Sequence, residues 1–165
     1  MLSDPEVEVL TIPAVAQRAG VNHTSIYRRW GNRDALLADV AVTQLEEHWP
    51  LPDTGSLRGD LLAWAEAGES SLTTPRGQLV MRALALSMPR GPQSGAGRAQ
   101  LFAGRIHAIE ELRARAIRRG ENPPAMGQIL DQILAPLYFR AILGLPPESD
   151  DYPQILVGRL LGSST

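Results

Sequence analysis

The chain contains no cysteine and no lysine. The first absence removes disulfides, thiolate metal sites and thiol nucleophiles together, yet 165 residues are enough to bury a core without covalent staples. The second leaves all sixteen basic positions to arginine, which reads first as base-composition bias and only second as selective use of planar guanidinium groups. Long apolar runs are missing as well, and none approaches the roughly 18 to 20 residues that a membrane span requires. The first ten residues carry Asp4, Glu6 and Glu8 where a secretion signal would be positive, so a cytoplasmic setting is expected. His23, His48 and His107 are too scattered to suggest a metal site, and no HExxH, GxSxG or phosphate-cradling glycine loop occurs. No metal, cofactor or catalytic residue is therefore expected.

With 16 basic and 18 acidic residues the chain has a formal net charge of -2, so any contact with nucleic acid must come from a local patch and not from a global field. One such patch stands out. Between Thr11 and Arg33 lie Arg18, Arg28, Arg29, Arg33 and His23, with no acid among them.

Proline and glycine punctuate a sequence that otherwise reads as helix, without a convincing strand. Thr11 is a good N-cap for a helix over 12–18, with Pro13 in its first turn and Gly20 at its end. Asn22 caps a second short helix over 23–29, and Asn32 a third from 33 to about 47. The proline-bounded stretch after His48 is the best domain boundary, dividing residues 1–48 from 49–165. Beyond it, Ser56 opens a helix with Leu57, Leu61, Trp64, Ala65 and Leu72 on one face. Thr74-Pro75 starts another through Leu79, Val80, Ala83 and Leu84, and the composition of 89–97 predicts a loop. A long helix over 98–119 turns Phe102, Ile106, Ile109, Leu112, Ala116 and Ile117 inward. The most apolar helix, 125–143, repeats apolar residues from Met126 to Ile142 at i, i+3, i+4, i+7, with Pro136 inside it forcing a kink. A last helix covers 151–161. The fold class is all-α: a helix-turn-helix module followed by a helical bundle.

The chemistry is carried by the run TIPAVAQRAGVNHTSIYRRWGNRDALL from Thr11 to Leu37. Two short helices joined by a glycine turn pack at a steep angle only where small and branched apolar side chains meet, and Ile12, Val15, Ala16, Val21 and Ile26 are the candidates. Burying them leaves His23, Thr24, Tyr27 and Arg28 on the opposite face, short donors and a long cation suited to the major groove. The hydroxyls of Thr11 and Tyr27 and the guanidinium of Arg33 are candidate phosphate contacts, with Asn22 completing the DNA-binding set. The duller reading of Arg28 and Arg29 is a solvated helix face, and of Tyr27 a core aromatic.

This run resembles the TetR family pattern T-x-x-x-I-A-x-x-A-G-V-S-x-x-x-L-Y-x-H-F-x-x-K-x-x-L-L. Thr11 matches the capping Thr, Ala16, Ala19, Gly20 and Val21 the helix-and-turn positions, and Tyr27 the tyrosine of the recognition helix. Trp30, Arg33, Asn22 and Val15 are same-role replacements. Farther on, Pro75-Arg76-Gly77 and the stretch from Ile133 to Arg140 resemble one group of TetR ligand domains. Only ten residues precede Thr11, where the family carries a full first helix, so the resemblance implies a chain lacking most of that helix.

The resemblance implies a ligand-responsive dimeric repressor that leaves a palindromic double-stranded DNA operator when a small molecule binds. Trp64, Met81, Leu84, Phe102, Ile106, Leu134 and Tyr138 are candidates for the effector pocket, although such residues more often form plain core. Ile129, Ile133, Leu137, Arg140, Ile155 and Arg159 are candidates for a homodimer interface of two helices from each protomer. Two rivals are a helical ligand-binding or scaffold protein with a vestigial helix-turn-helix, and a small helical enzyme. The latter needs converging polar residues that the sequence does not offer.

Overall fold

The computed structural model describes residues 11–88 and 102–162, and every regular element among these residues is a helix. The predicted loop over 89–97, the start of the long helix at 98–101 and the ten residues before Thr11 lie outside them. Helix α1, Ile12–Ala19, begins where the Thr11 hydroxyl accepts the Ala14 amide at 3.3 Å. It ends at Gly20, whose φ of +66° lets the Val21 amide turn back to the Ala16 carbonyl. Asn22 caps α2, His23–Trp30, by accepting the Thr24 amide at 2.9 Å. Asn32 does the same for α3, Arg33–His48, through the Ala35 amide at 2.8 Å. The hydroxyls of Ser56 and Thr74 open α4, Leu57–Leu72, and α5, Pro75–Ser87. Each such cap satisfies an amide that the helix itself leaves bare and contributes about 1 kcal/mol.

Helix α6 is Ala103–Arg118, and α8 is Tyr152–Leu161. Between them α7 runs through three continuous segments, Met126–Ile129, Leu130–Leu134 and Ala135–Leu143, the middle one wound as a π-helix. The Ala135 amide donates five residues back, to Leu130. Pro136 explains the widening: in a regular α-helix its ring would press on the carbonyl four residues earlier and it has no N–H to give. The proline that the sequence marks as a kink is thus met by one wide turn immediately before it.

Two apolar cores result. The small one joins Ile12, Ala16, Ile26 and Leu36, flanked by Val15 and Trp30. The large one starts at Ala38 on the same α3 and takes in residues of α4 to α8. α3 lies against α5, α5 against the end of α7, and α8 against α4. Trp49 and Trp64 stack at its centre with centroids 5.1 Å apart. Gly68 makes room for them, since a Cβ there would sit 2.1 Å from Trp49 Cζ2.

Several side chains expected inside are outside. Val21 is 49% exposed because it belongs to the turn and not to the helix crossing, and Leu36 fills that place instead. Leu79 and Ile117 also face outward. Polar groups close the far end of the bundle. Asp60, fully buried, accepts the Thr54 amide at 2.6 Å and hydroxyl at 2.8 Å, and pairs with Arg119 at 3.1 Å. Arg119 also holds Glu121, whose other oxygen accepts the Leu57 amide. Burial raises the Asp60 carboxyl, but Thr54 and Arg119 outweigh it and hold it below the usual carboxylate range.

Candidate nucleic-acid interface

Helix α2 has one buried residue, Ile26, and this single anchor orients everything else on it. His23, Thr24, Ser25, Tyr27, Arg28 and Arg29 are all exposed. Tyr27 is 47% exposed, so it is not a core aromatic, and its ring meets that of His23 edge-on. Thr11 and Arg33 are exposed at the starts of the flanking helices, and the structure brings them to the same small unit as α2. Arg18, Arg28, Arg29 and Arg33 take part in none of the ion pairs of the described residues. Arg29 lies over the Trp30 ring at 4.6 Å, which leaves Arg28 as the cation of α2 that projects without a ring beneath it. Asn22 has a different occupation: its Oδ1 accepts both the amide and the hydroxyl of Thr24, at 2.9 Å each. It therefore sets the start of α2, and the Thr24 hydroxyl retains its lone pairs.

Six of the seven residues expected around an effector are packed into or against the large core. Trp64, Met81, Leu84 and Leu134 are buried there, and Phe102 and Tyr138 pack against it, while Ile106 is half-buried. None of them lines the three depressions nearby. One beside Glu69, Arg140 and Tyr152 holds about 10 Å³, room for a single water. A groove of about 450 Å³ runs between Gln44, Ser70, Thr74 and Arg76. A third, of about 530 Å³, is bounded by Pro136, Phe139, Leu156 and Arg159. Trp64 has a second property: its buried indole N–H meets no acceptor among the described residues.

The interface candidates need correction. Ile129, Ile133 and Leu137 are buried within the protomer at 0%, 0% and 4% exposure, and so cannot meet a second chain. Their stripe on α7 is turned toward the bundle core by its neighbours. The outer side of α7 carries Phe139, 59% exposed, and Leu143, 54% exposed, in their place. Arg140 is tied to Glu148 and to the Pro146 carbonyl, each at 2.6 Å, while Ile155 is half-buried and Arg159 exposed.

A short exposed helix held by one apolar anchor, together with a helical bundle, is an arrangement found in known proteins. A model of the bacterial regulatory proteins of the tetR family matches residues 7–40, and one of the tetracyclin repressor-like C-terminal domain matches residues 51–160. The chain belongs to the TetR family. This TetR-type chain is 33% identical over 120 residues to the HTH-type transcriptional regulator AqdR of Rhodococcus erythropolis, covering 73% of itself and 58% of AqdR. To the uncharacterized HTH-type transcriptional regulator YdeS of Bacillus subtilis it is 24% identical over 159 residues, 95% of this chain and 80% of YdeS. The crystal structure of the TetR family transcription regulator SCO0332 superposes with a TM-score of 0.76 and 29% identity, over 93% of this chain and 86% of that one. By name these relatives are HTH-type transcriptional regulators and a TetR family transcription regulator, and no described helix is long and apolar enough to cross a membrane.

In this TetR chain two contacts, one in each half of α3, have no signature in the family pattern. Trp30 donates its indole N–H to Asp39 at 2.8 Å, fastening the end of α2 to α3. Arg105, from α6, is buried against the end of α3. Both join residues that no short motif spans.

Proposed function

We propose that this protein is a cytoplasmic, dimeric, ligand-responsive repressor whose α2 enters the major groove of a palindromic operator. Residues 1–48 act as the DNA-reading unit and residues 49–165 as the sensing and dimerising unit, with α3 packed into both. The observation that carries this reading is the face of α2 left bare by Ile26: His23, Thr24, Tyr27 and Arg28 exposed together, with Arg18 and Arg33 of the flanking helices in none of the ion pairs of the described residues. Arg28, His23 and Thr24 are assigned to base edges. Thr11, Tyr27 and Arg33 are assigned to phosphates, and Asn22 shapes the helix start.

Two copies associate through the outer sides of α7 and α8, where Phe139 borders the same depression as Arg159 and Leu143 is exposed. Large apolar side chains grouped on a surface mark such contacts. The two reading helices then stand about one DNA turn, roughly 34 to 36 Å, apart. An effector entering the bundle beside Trp64, whose indole N–H meets no acceptor among the described residues, favours a spacing that no longer fits successive grooves.

Anisotropy titration of the DNA adjoining the protein's own gene, at several salt concentrations, is the test. Binding should weaken linearly in log–log form as salt rises. Binding without that slope, or unaltered in Tyr27→Ala and Arg28→Ala, would remove the DNA reading. A small molecule that binds the protein yet leaves operator affinity unchanged would remove induction.

A further inference from the structure

Arg105 sits in the first turn of α6 and is only 6% exposed. A guanidinium taken out of water is costly to hold unless its donors are met. Here Nη1 donates to the Trp49 carbonyl at 3.0 Å and Nη2 to the Leu45 carbonyl at 3.1 Å. Both acceptors belong to the final turn of α3 and its cap, where carbonyls have no amide of their own helix to accept and the helix dipole is negative. The guanidinium carbon also lies 4.6 Å from the centre of the Trp49 ring and 5.7 Å from that of Trp64. Trp49 is in turn fixed to α4, stacked on Trp64 and donating its indole N–H to the Trp64 carbonyl. No ion pair of the described residues includes Arg105.

We infer that Arg105 is a positioning residue that locks the end of α3 to the bundle, and that through α3 it sets how firmly the DNA-reading unit is held. Its functional meaning rests on the reading of α2 given above. The route is continuous on the chain. Leu36, near the start of α3, lies in the small core with Ile26, and Asp39 holds Trp30 at the end of α2. A shift of α6 that withdraws Arg105 therefore frees two carbonyls of α3 at once. Ile109, Ile133 and Val157, in the same large core, are not among the residues that Arg105 bonds or stacks on.

Hydrogen exchange on the full chain tests this with Arg105→Met, which keeps length and apolar packing, and Arg105→Lys, a point charge that cannot bridge both carbonyls. Loss of two bonds from a charged donor should speed exchange of the amides of residues 42–49 and of α1 and α2 by about tenfold or more in the Met variant. The Lys variant should show part of that effect, and residues 129–141 and 152–161 should keep parental rates in both. Unchanged rates at 42–49, acceleration that stops there without reaching α1 and α2, or uniform acceleration through 129–141 would each overturn the inference. Should Arg105→Met fail to fold, the Lys variant is judged by the same criteria. None of these readouts needs operator or effector, so a parent protein that ignored DNA would refute the regulator reading and leave this result standing.

Discussion

Among the described residues, the core beneath the reading helix consists of Ile12, Ala16, Ile26 and Leu36, while that of the bundle runs from Ala38 to Leu160 and contains two stacked indoles. The small core sits under exposed arginines whose mutual repulsion it must also hold. So small a core supplies little stability by itself. α3 supplies the rest, because its first turn, with Leu36, belongs to one core and its remainder, from Ala38 on, to the other. The face proposed to read DNA thus lies over the smaller of the two cores, where small changes of attitude should cost least.

Substitutions in the two cores should separate them. Trp64→Ala should cost about 3–5 kcal/mol and unfold both regions, because α3 loses its seat; urea denaturation followed by circular dichroism measures this. Ile26→Ala should cost about 2–5 kcal/mol, confined to α1, α2 and the start of α3, with the bundle transition in place. An equal fall in both transitions would erase the distinction. On the DNA side, Arg28→Ala should lose about 1–3 kcal/mol and relax preference at one base pair, whereas Arg33→Ala should weaken all sequences alike and lower the salt slope by about 1.

The smallest effects concern two carboxylates of the bundle with opposite signs. Asp60 titrates below the usual range when folded, so its contribution is complete above the unfolded-state value and is lost as pH falls through the folded one. Asp60→Asn should flatten the acid limb of a stability-versus-pH curve. Glu69 is pushed up by burial, and then by Asp150 and Glu66. Its contribution is present below the ordinary carboxylate value and is lost as pH rises through the folded one, so Glu69→Gln should raise stability modestly at neutral pH and not in acid. Thermal melts across pH check both signs.

Local chemistry explains what was legible in advance. Thr11, Asn22, Asn32, Ser56 and Thr74 each cap the helix the sequence assigns to them, because a cap is decided within four residues. The order of the helices and the reading face of α2 follow from the same short-range signals. What failed is directional. Periodicity shows that Ile129, Ile133 and Leu137 share a stripe, but not whether the bundle or a second chain will cover it. Leu79 and Ile117 likewise continue apolar stripes past the edge of the core. Arg105 meets Leu45 and Trp49 across more than fifty residues, and Arg119 meets Asp60 across nearly sixty. No pattern in neighbouring residues announces pairings of that range.

The three tryptophans divide between the two regions, and light can read them separately. Trp49 and Trp64, stacked with 30° between their planes, are close enough for their electronic transitions to couple and leave a signature in near-ultraviolet dichroism. Trp30, half-exposed and bonded to Asp39, stands apart beside the smaller core. The unmodified chain therefore carries one optical gauge for the bundle and another for the reading head.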